Sequence, residues 1–228
     1  MPLQTNLMKI DNCEFPEDLL YDMENFVWVD LKATSSITIG ISTLFSAISG
    51  RLSAITLMDV GTHIQKGKRL ATIESNTYFG VVRAPLSGRI LEVNESILRK
   101  PKLVNDFPYS EGWFVKMEPL SIAKDPTNLL PIGNCHDTAK ALIKDLHIRC
   151  FVAYPDYEMF EIGVECAATL TKLDELIPTI KVGEIVHLVS DDKTASVEMI
   201  RWSEGSGQSI LETRPEGNLM HFIVRRNK

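Results

Sequence analysis

The chain has 228 residues, 44% hydrophobic and 24% charged, with a formal net charge of −6 at pH 7. That length admits one large domain or two ordinary ones, and the composition supplies a real apolar core. An acidic chain has little electrostatic support for non-specific nucleic-acid binding, and no apolar run approaches the roughly 18 residues of a membrane span. From Asp156 onward there are 8 basic and 13 acidic residues, against 16 and 17 before it, so neither half is a basic module.

The first stretch, "MPLQTNLMKIDNCEFPEDLL", carries acids where a signal peptide is basic and then apolar. We read residues 1–20 as an extension with a loosely ordered beginning, and the protein as cytoplasmic. From about Tyr21 to Leu120 the signals are short strands: "FVWVDLKA", "SITIGIS", "RLSAITLM", "RLATIES", "GVVRAPL" and "GRILEVN". Turn residues at Gly61, Gly67, Gly80 and Ser87-Gly88 separate them. One short helix is expected from Ser42 to Ile48, ended by Gly50. Many short strands with glycine turns predict a small barrel or sandwich.

"CHDTAKALIKDLH" reads as the helix closing a first domain near residue 150, with Ala139, Leu142, Ile143 and Leu146 on one stripe. Cys135, His136, His147 and Cys150 frame it. Eleven helical rises set the two histidines about 16 Å apart, too far for one tetrahedral ion, so no metal site is assigned. The four cysteines, Cys13, Cys135, Cys150 and Cys166, contain no CxxC pair and are expected as free thiols in a reducing compartment.

From Asp156 to Lys228 the order of signals is β-α-β-α-β-β, which predicts a two-layer α+β sandwich. "MFEIGVE" is the first strand, and "AATLTKLDELIPTI" puts Leu170, Leu173 and Ile177 on one helical face. "KVGEIVHLVSDD" is a turn and a buried strand, and "TASVEMIRWSEGSG" a second helix with Asp192 or Thr194 as its cap. "SILETRP" and "LMHFIVRR" close a hairpin across "EGN". His187 and His221 alternate with apolar neighbours and are expected on the outer face of their strands. The glycines of "GSGQS" lack the strand-to-helix context of a phosphate loop.

Cys166 is the candidate nucleophile. It stands at the start of the first helix of this half, where unpaired N–H groups and the helix dipole favour a thiolate. Glu165, just before it, opposes that if it points the same way. A buried, inert cysteine is the competing expectation.

The stretch "DVGTHIQKGKRLATIESNTYFGVVRAPLSGRILEVNESI" followed by "LVNDFPYSEGWFVKMEP" resembles the glycine cleavage system H protein family. Four pieces carry the resemblance: the "ITIGIS" strand, "VG…KG", "ES…APLSG…VNE" and "LVN…PY.EGW". The resemblance implies a lipoyl-domain-like barrel-sandwich hybrid over residues 21–150. In that family a lipoyl group sits on a lysine three residues after the Glu of the "ES" pair. Counted from Glu74, that position is Thr77, and no lysine lies between Arg69 and Arg83. A hydroxyl cannot form the lipoyl amide, so lipoate is not expected as a cofactor. Lys66 and Lys68 are turn lysines rather than acyl sites.

The later half resembles the TusA sulfur-carrier family through Gly163-Val164-Glu165-Cys166 before its first helix and the glycine turn at Gly183. Where that family has Cys-Pro-x-Pro, this chain reads Cys166-Ala167-Ala168-Thr169. Together the resemblances imply an α+β, two-domain protein, with residues 156–228 as the TusA-like part. Its function is then sulfur relay as a persulfide on Cys166, with the H-like part as docking scaffold. The partners implied are proteins of sulfur or lipoate metabolism, a heterodisulfide-reductase-like complex among them. The alternatives are a non-catalytic adaptor of such a complex, and a glycine cleavage H protein.

Overall fold

The computed structural model describes residues 6–31, 36–120 and 128–228. Residues 1–5 of the extension, and Lys32 and Ala33 of the first expected strand, lie outside them. The chain forms two compact units that divide between Cys150 and Phe151.

The first unit opens with a hairpin of β1 (Leu7–Ile10) and β2 (Cys13–Pro16), where a loosely ordered extension was expected. Its turn, Asp11-Asn12, has positive φ at both residues, 44° and 67°. That backbone suits a two-residue hairpin turn, and Asp and Asn tolerate it better than most residues. Ile10, Cys13 and Phe15 are buried by the hairpin.

β3 (Leu20–Asp22), β4 (Val27–Asp30) and β5 (Ile37–Ile41) follow as a meander. Side-chain alternation along β4 sends Val27 and Val29 into one core and Trp28 into another. Gly40 faces Trp28 across the β4–β5 ladder, and a Cβ there would stand 2.4 Å from the indole. The flat indole therefore requires glycine in the "ITIGIS" strand. Helix α1 (Thr43–Ser49) begins after Ser42 and ends at Gly50, within a residue of the expectation.

Next come β6 (Leu52–Leu57), β7 (His63–Ile64), β8 (Arg69–Ser75), β9 (Phe79–Arg83) and β10 (Gly88–Val93). Two short helices, α2 (Glu95–Arg99) and α3 (Leu103–Asp106), precede β11 (Val115–Pro119), β12 (Leu130–Pro131) and the long α4 (Ile132–Asp145). Of the expected barrel or sandwich, the described residues form the sandwich, and none of their sheets closes on itself. A seven-stranded sheet ordered β12-β3-β4-β5-β11-β10-β7 shares a core with a three-stranded sheet ordered β6-β8-β9. Strand β7 is only two residues long, and β9 is left as an open edge. A second core lies between the β1–β2 hairpin, Tyr21, Trp28, Leu44 and the buried face of α4, formed by Ile132, Cys135, Ala139 and Ile143.

This second core overturns the reading of four free thiols. Cys13 and Cys150 form a disulfide across 137 residues of sequence, and Cys135 and Cys166 are free and buried. Local spacing carries no sign of the bridge, because the fold alone brings β2 beside the end of the unit.

The second unit contains β13 (Tyr157–Glu161), α5 (Cys166–Leu176) with a 3-10 turn at Ile177–Thr179, and β14 (Ile185–Ser190). Then come α6 (Ala195–Ser206), β15 (Ser209–Glu216) and β16 (Leu219–Arg225). Its sheet is ordered β13-β14-β16-β15, with β13 and β14 parallel and the rest antiparallel. Val186, Leu188, Phe222 and Val224 pack on Leu173 of α5 and Met199 and Trp202 of α6. His187 and His221 lie, as expected, on the face turned away from α5 and α6, but they are buried there rather than open to solvent.

Closing so long a loop in the unfolded chain contributes up to about 5 kcal/mol in the chain-entropy account. Thiol titration of the unfolded protein should therefore detect two free cysteines before reduction and four after it. Reduction should also lower the melting temperature of the first unit.

Candidate functional site

The hairpin of β8 and β9 turns over Ser75-Asn76-Thr77-Tyr78. The Ser75 N–H donates to the Tyr78 carbonyl at 2.8 Å, closing the turn. Ser75 Oγ accepts the Tyr78 N–H at 3.0 Å and the Thr77 N–H at 3.2 Å. A serine at the first turn position thus does the work of an ST-turn. The Tyr78 ring folds back over Gly80, where a Cβ would lie 2.3 Å from it, and meets Phe45 of α1 edge-on at 5.9 Å. The turn is pinned on both sides of Thr77, and Thr77 itself is exposed. The position three residues after Glu74 is therefore well presented and carries a hydroxyl, which cannot form an amide.

The floor beneath this tip is made by Asn105. Its Oδ1 accepts the Leu52 N–H at 2.9 Å, and its Nδ2 donates to the Gly50 carbonyl at 3.0 Å and to Ser46 Oγ at 2.9 Å. One buried amide thereby fixes the end of α1 and the start of β6 to α3. The other residues of the "LVN…PY.EGW" and "VNE" pieces act in the same way. Trp28 Nε1 donates to the carbonyls of Ile41 and Pro108, both at 3.0 Å. The Thr43 N–H donates to the Tyr109 hydroxyl at 3.1 Å. Asn94 accepts the Ser96 N–H at the start of α2 and donates to the carbonyls of Glu111 and Trp113. The signature residues hold the scaffold that presents the tip. Sequence reading recognised them as a pattern and missed their work, because each acts on a backbone group remote in the chain.

Lys66 and Lys68 sit at the other end of the hairpin. The Gly67 N–H donates to the Ala84 carbonyl and the Ala84 N–H to the Lys68 carbonyl. Seven residues of β8 separate that turn from the tip, roughly 20 Å of extended chain.

In the second unit Cys166 is the first residue of α5, as expected, but it does not face outward. It is 4% exposed and belongs to the core with Leu173 and Met199. Its N–H donates to Asp192 Oδ2 at 2.8 Å. Asp192 Oδ1 also accepts from the Thr194 N–H and hydroxyl, at 2.7 and 2.8 Å. These bonds hold the Asp192 carboxyl below its ordinary range, the Thr194 backbone N–H contributing most. Burial, then the charges of Asp192 and Glu198, push the Cys166 thiol up, against the direction expected of a helix start. The helix end was occupied by an internal anion that the notion of a bare dipole leaves out.

Two outcomes follow. Asn105→Ala leaves the Leu52 N–H and Gly50 carbonyl without their partner and should cost about 2–3 kcal/mol in urea unfolding. Native Cys166 should react slowly with iodoacetamide at neutral pH and faster only as pH rises into the alkaline range. Asp192→Asn keeps an acceptor for the Cys166 N–H and removes the charge, so it should shift that rise to lower pH.

The family model for the glycine cleavage H-protein matches residues 19–142, which lie in the first unit. "Glycine cleavage system H protein 2" of Aquifex aeolicus is 33% identical over 138 residues, covering 60% of this chain and 86% of that protein. "Probable glycine cleavage system H protein 2" of Sulfurisphaera tokodaii is 40% identical over 114 residues, covering 49% of this chain and 77% of the relative. Among solved structures, the crystal structure of a glycine cleavage system H protein from Mycobacterium marinum aligns with a TM-score of 0.50 at 25% identity. It covers 55% of this chain and 98% of that one. With the hairpin, its floor and more than half of the chain matched, this protein belongs to the glycine cleavage H-protein family.

Proposed function

We propose that the first unit is a docking module that keeps the H-protein scaffold and acts without a lipoyl arm. The observation that carries this reading is the pinned, exposed tip with Thr77 at the position of the lipoyl lysine. An adjoining feature supports it. Phe79, two residues on, is 72% exposed, and Val81 is exposed beside it on the open-edge strand β9. A large aromatic left in water beside unpaired strand edge groups is a surface suited to a protein partner. The partners of this reading are proteins of lipoate or sulfur metabolism, a heterodisulfide-reductase-like complex among them.

A second reading places sulfur relay on Cys166. The β-α-β-α-β-β order and the thiol at the first residue of α5 favour it, together with the TusA-like Gly163-to-Cys166 register. In that reaction the Cys166 thiolate attacks the outer sulfur of a donor persulfide. An S–S bond forms on Cys166 as the donor S–S bond breaks, and the donor leaves as a thiolate. The buried thiol requires α5 to open at its first turn before this can occur. The names of the relatives suggest a third reading, a glycine cleavage H protein, which depends on lipoylation.

Intact-mass spectrometry separates the three. Co-expressed with a lipoylating system, the wild-type chain should keep its unmodified mass, and Thr77→Lys should gain one lipoyl group. A lipoylated wild type overturns the docking reading in favour of the third. Incubation with a low-molecular-weight persulfide should add one sulfur to wild type but none to Cys166→Ala if the second reading holds. Equal labelling of the two sinks it.

A further inference from the structure

His187 of β14 and His221 of β16 are 4% and 2% exposed, on the sheet face turned away from α5 and α6. His187 Nε2 and His221 Nδ1 are 2.9 Å apart, and with centroids 5.2 Å apart and planes inclined by 16° the rings lie nearly coplanar, edge to edge. Their outward nitrogens face carboxylates. His187 Nδ1 lies 3.7 Å from Glu158 Oε1 on β13, and His221 Nε2 lies 3.3 Å from Glu216 Oε2 on β15. The row Glu158–His187–His221–Glu216 takes one side chain from each strand, in sheet order.

The chain entering this unit rests on that row. The Phe151 ring lies 4.5 Å from His187 and 5.9 Å from His221, and the Arg214 guanidinium stands 4.5 Å from the Phe151 ring. The Val152 N–H donates to Glu212 Oε2 at 2.8 Å, and Glu212 is paired with Arg214. Phe160 of β13 meets His187 edge-on. The charged groups that the neighbouring strands set against the pair are Glu158 on β13, and Glu212, Arg214 and Glu216 on β15.

Counting protons shows what this arrangement accepts. A neutral imidazole has one N–H and one lone pair. Two neutral rings bring two protons to four nitrogens. One proton makes the bond between the rings, so one outward nitrogen must turn a lone pair toward a carboxylate. A third proton removes that conflict: the central bond stays, and both outward nitrogens point N–H groups at Glu158 and Glu216. A fourth puts two N–H groups head to head at the central contact, destroys its bond and sets two like charges side by side.

We propose that the His187–His221 pair is a one-proton site that seats the Phe151–Val152 segment, and that uptake of a second proton releases that segment. The hydrogen-bonded pair is the platform under Phe151. Only the singly charged form keeps the central bond while turning an N–H toward the carboxylate at each end.

The test follows the imidazole nitrogens by long-range proton–nitrogen NMR on the full-length chain as pH is lowered. In parallel, it follows hydrogen exchange at the Val152 N–H, corrected for intrinsic rate. The pair should titrate in two separated steps, with exchange at Val152 rising about tenfold across the second only. Glu212→Gln keeps an acceptor for Val152 and cannot ionise, so the rise should persist in that variant. Two rings titrating as independent single steps would overturn the proposal. So would a Val152 rate that is flat across the second step, or a rise that disappears in Glu212→Gln.

Discussion

The first unit depends on one buried amide. Asn105 bonds Ser46, Gly50 and Leu52 at once, and these three residues span the end of α1 and the start of β6. Nothing in the hydrophobic core specifies how that junction sits, because apolar contact is non-directional. The three hydrogen bonds supply the direction, and the cost of leaving a buried donor or acceptor unmade penalises every alternative. The hairpin tip rests on what Asn105 fixes: Phe45 of α1 receives Tyr78, and Tyr78 flanks Thr77. With threonine rather than an amine at the tip, the turn is still pinned on both sides. A tip held this firmly is consistent with a surface presented to a partner.

The second unit shows how a helix start can be spent on structure. Asp192 accepts from Cys166 at the first residue of α5 and from Thr194 before α6, so a single carboxylate joins the beginnings of two helices. The attraction between the helix end and negative charge, which draws out a thiolate in a bare helix, is here satisfied by Asp192. The same geometry that steadies the unit quiets its cysteine, and reactivity at Cys166 depends first on uncovering the buried sulfur and then on moving that carboxylate.

Much of this was legible in the amino-acid order. The alternation of "SITIGIS" and "RLATIES" gave strands, Gly50 marked the end of α1, and Thr77 could be placed by counting from Glu74. What escaped were relations between distant residues. The Asp11-Asn12 turn was readable as a hairpin signal, yet the flanking strands are only four residues each. The Cys13–Cys150 bridge needs tertiary structure to bring its ends together. His187 and His221 sit among apolar neighbours in alternation, and a polar residue in such a pattern ordinarily faces water. Here each finds its partner on a neighbouring strand, which the pattern of one strand cannot reveal. Cys166 was placed at its helix start by local signals, while its burial depends on Leu173, Met199 and the Asp192 loop.

The position of the disulfide governs how tension travels along the chain. Cys150 is the last residue of the first unit, and its bond reaches Cys13 near the opposite end. A pull applied at Phe151 therefore passes through sulfur to the amino-terminal hairpin and bypasses residues 14–149. The intervening polypeptide is mechanically shielded: it cannot be drawn out as a thread while the bridge is intact. A protein-unfolding motor engaging the carboxy-terminal end could unravel the later unit and then stall at Cys150, leaving the H-protein scaffold behind as a covalently closed remnant.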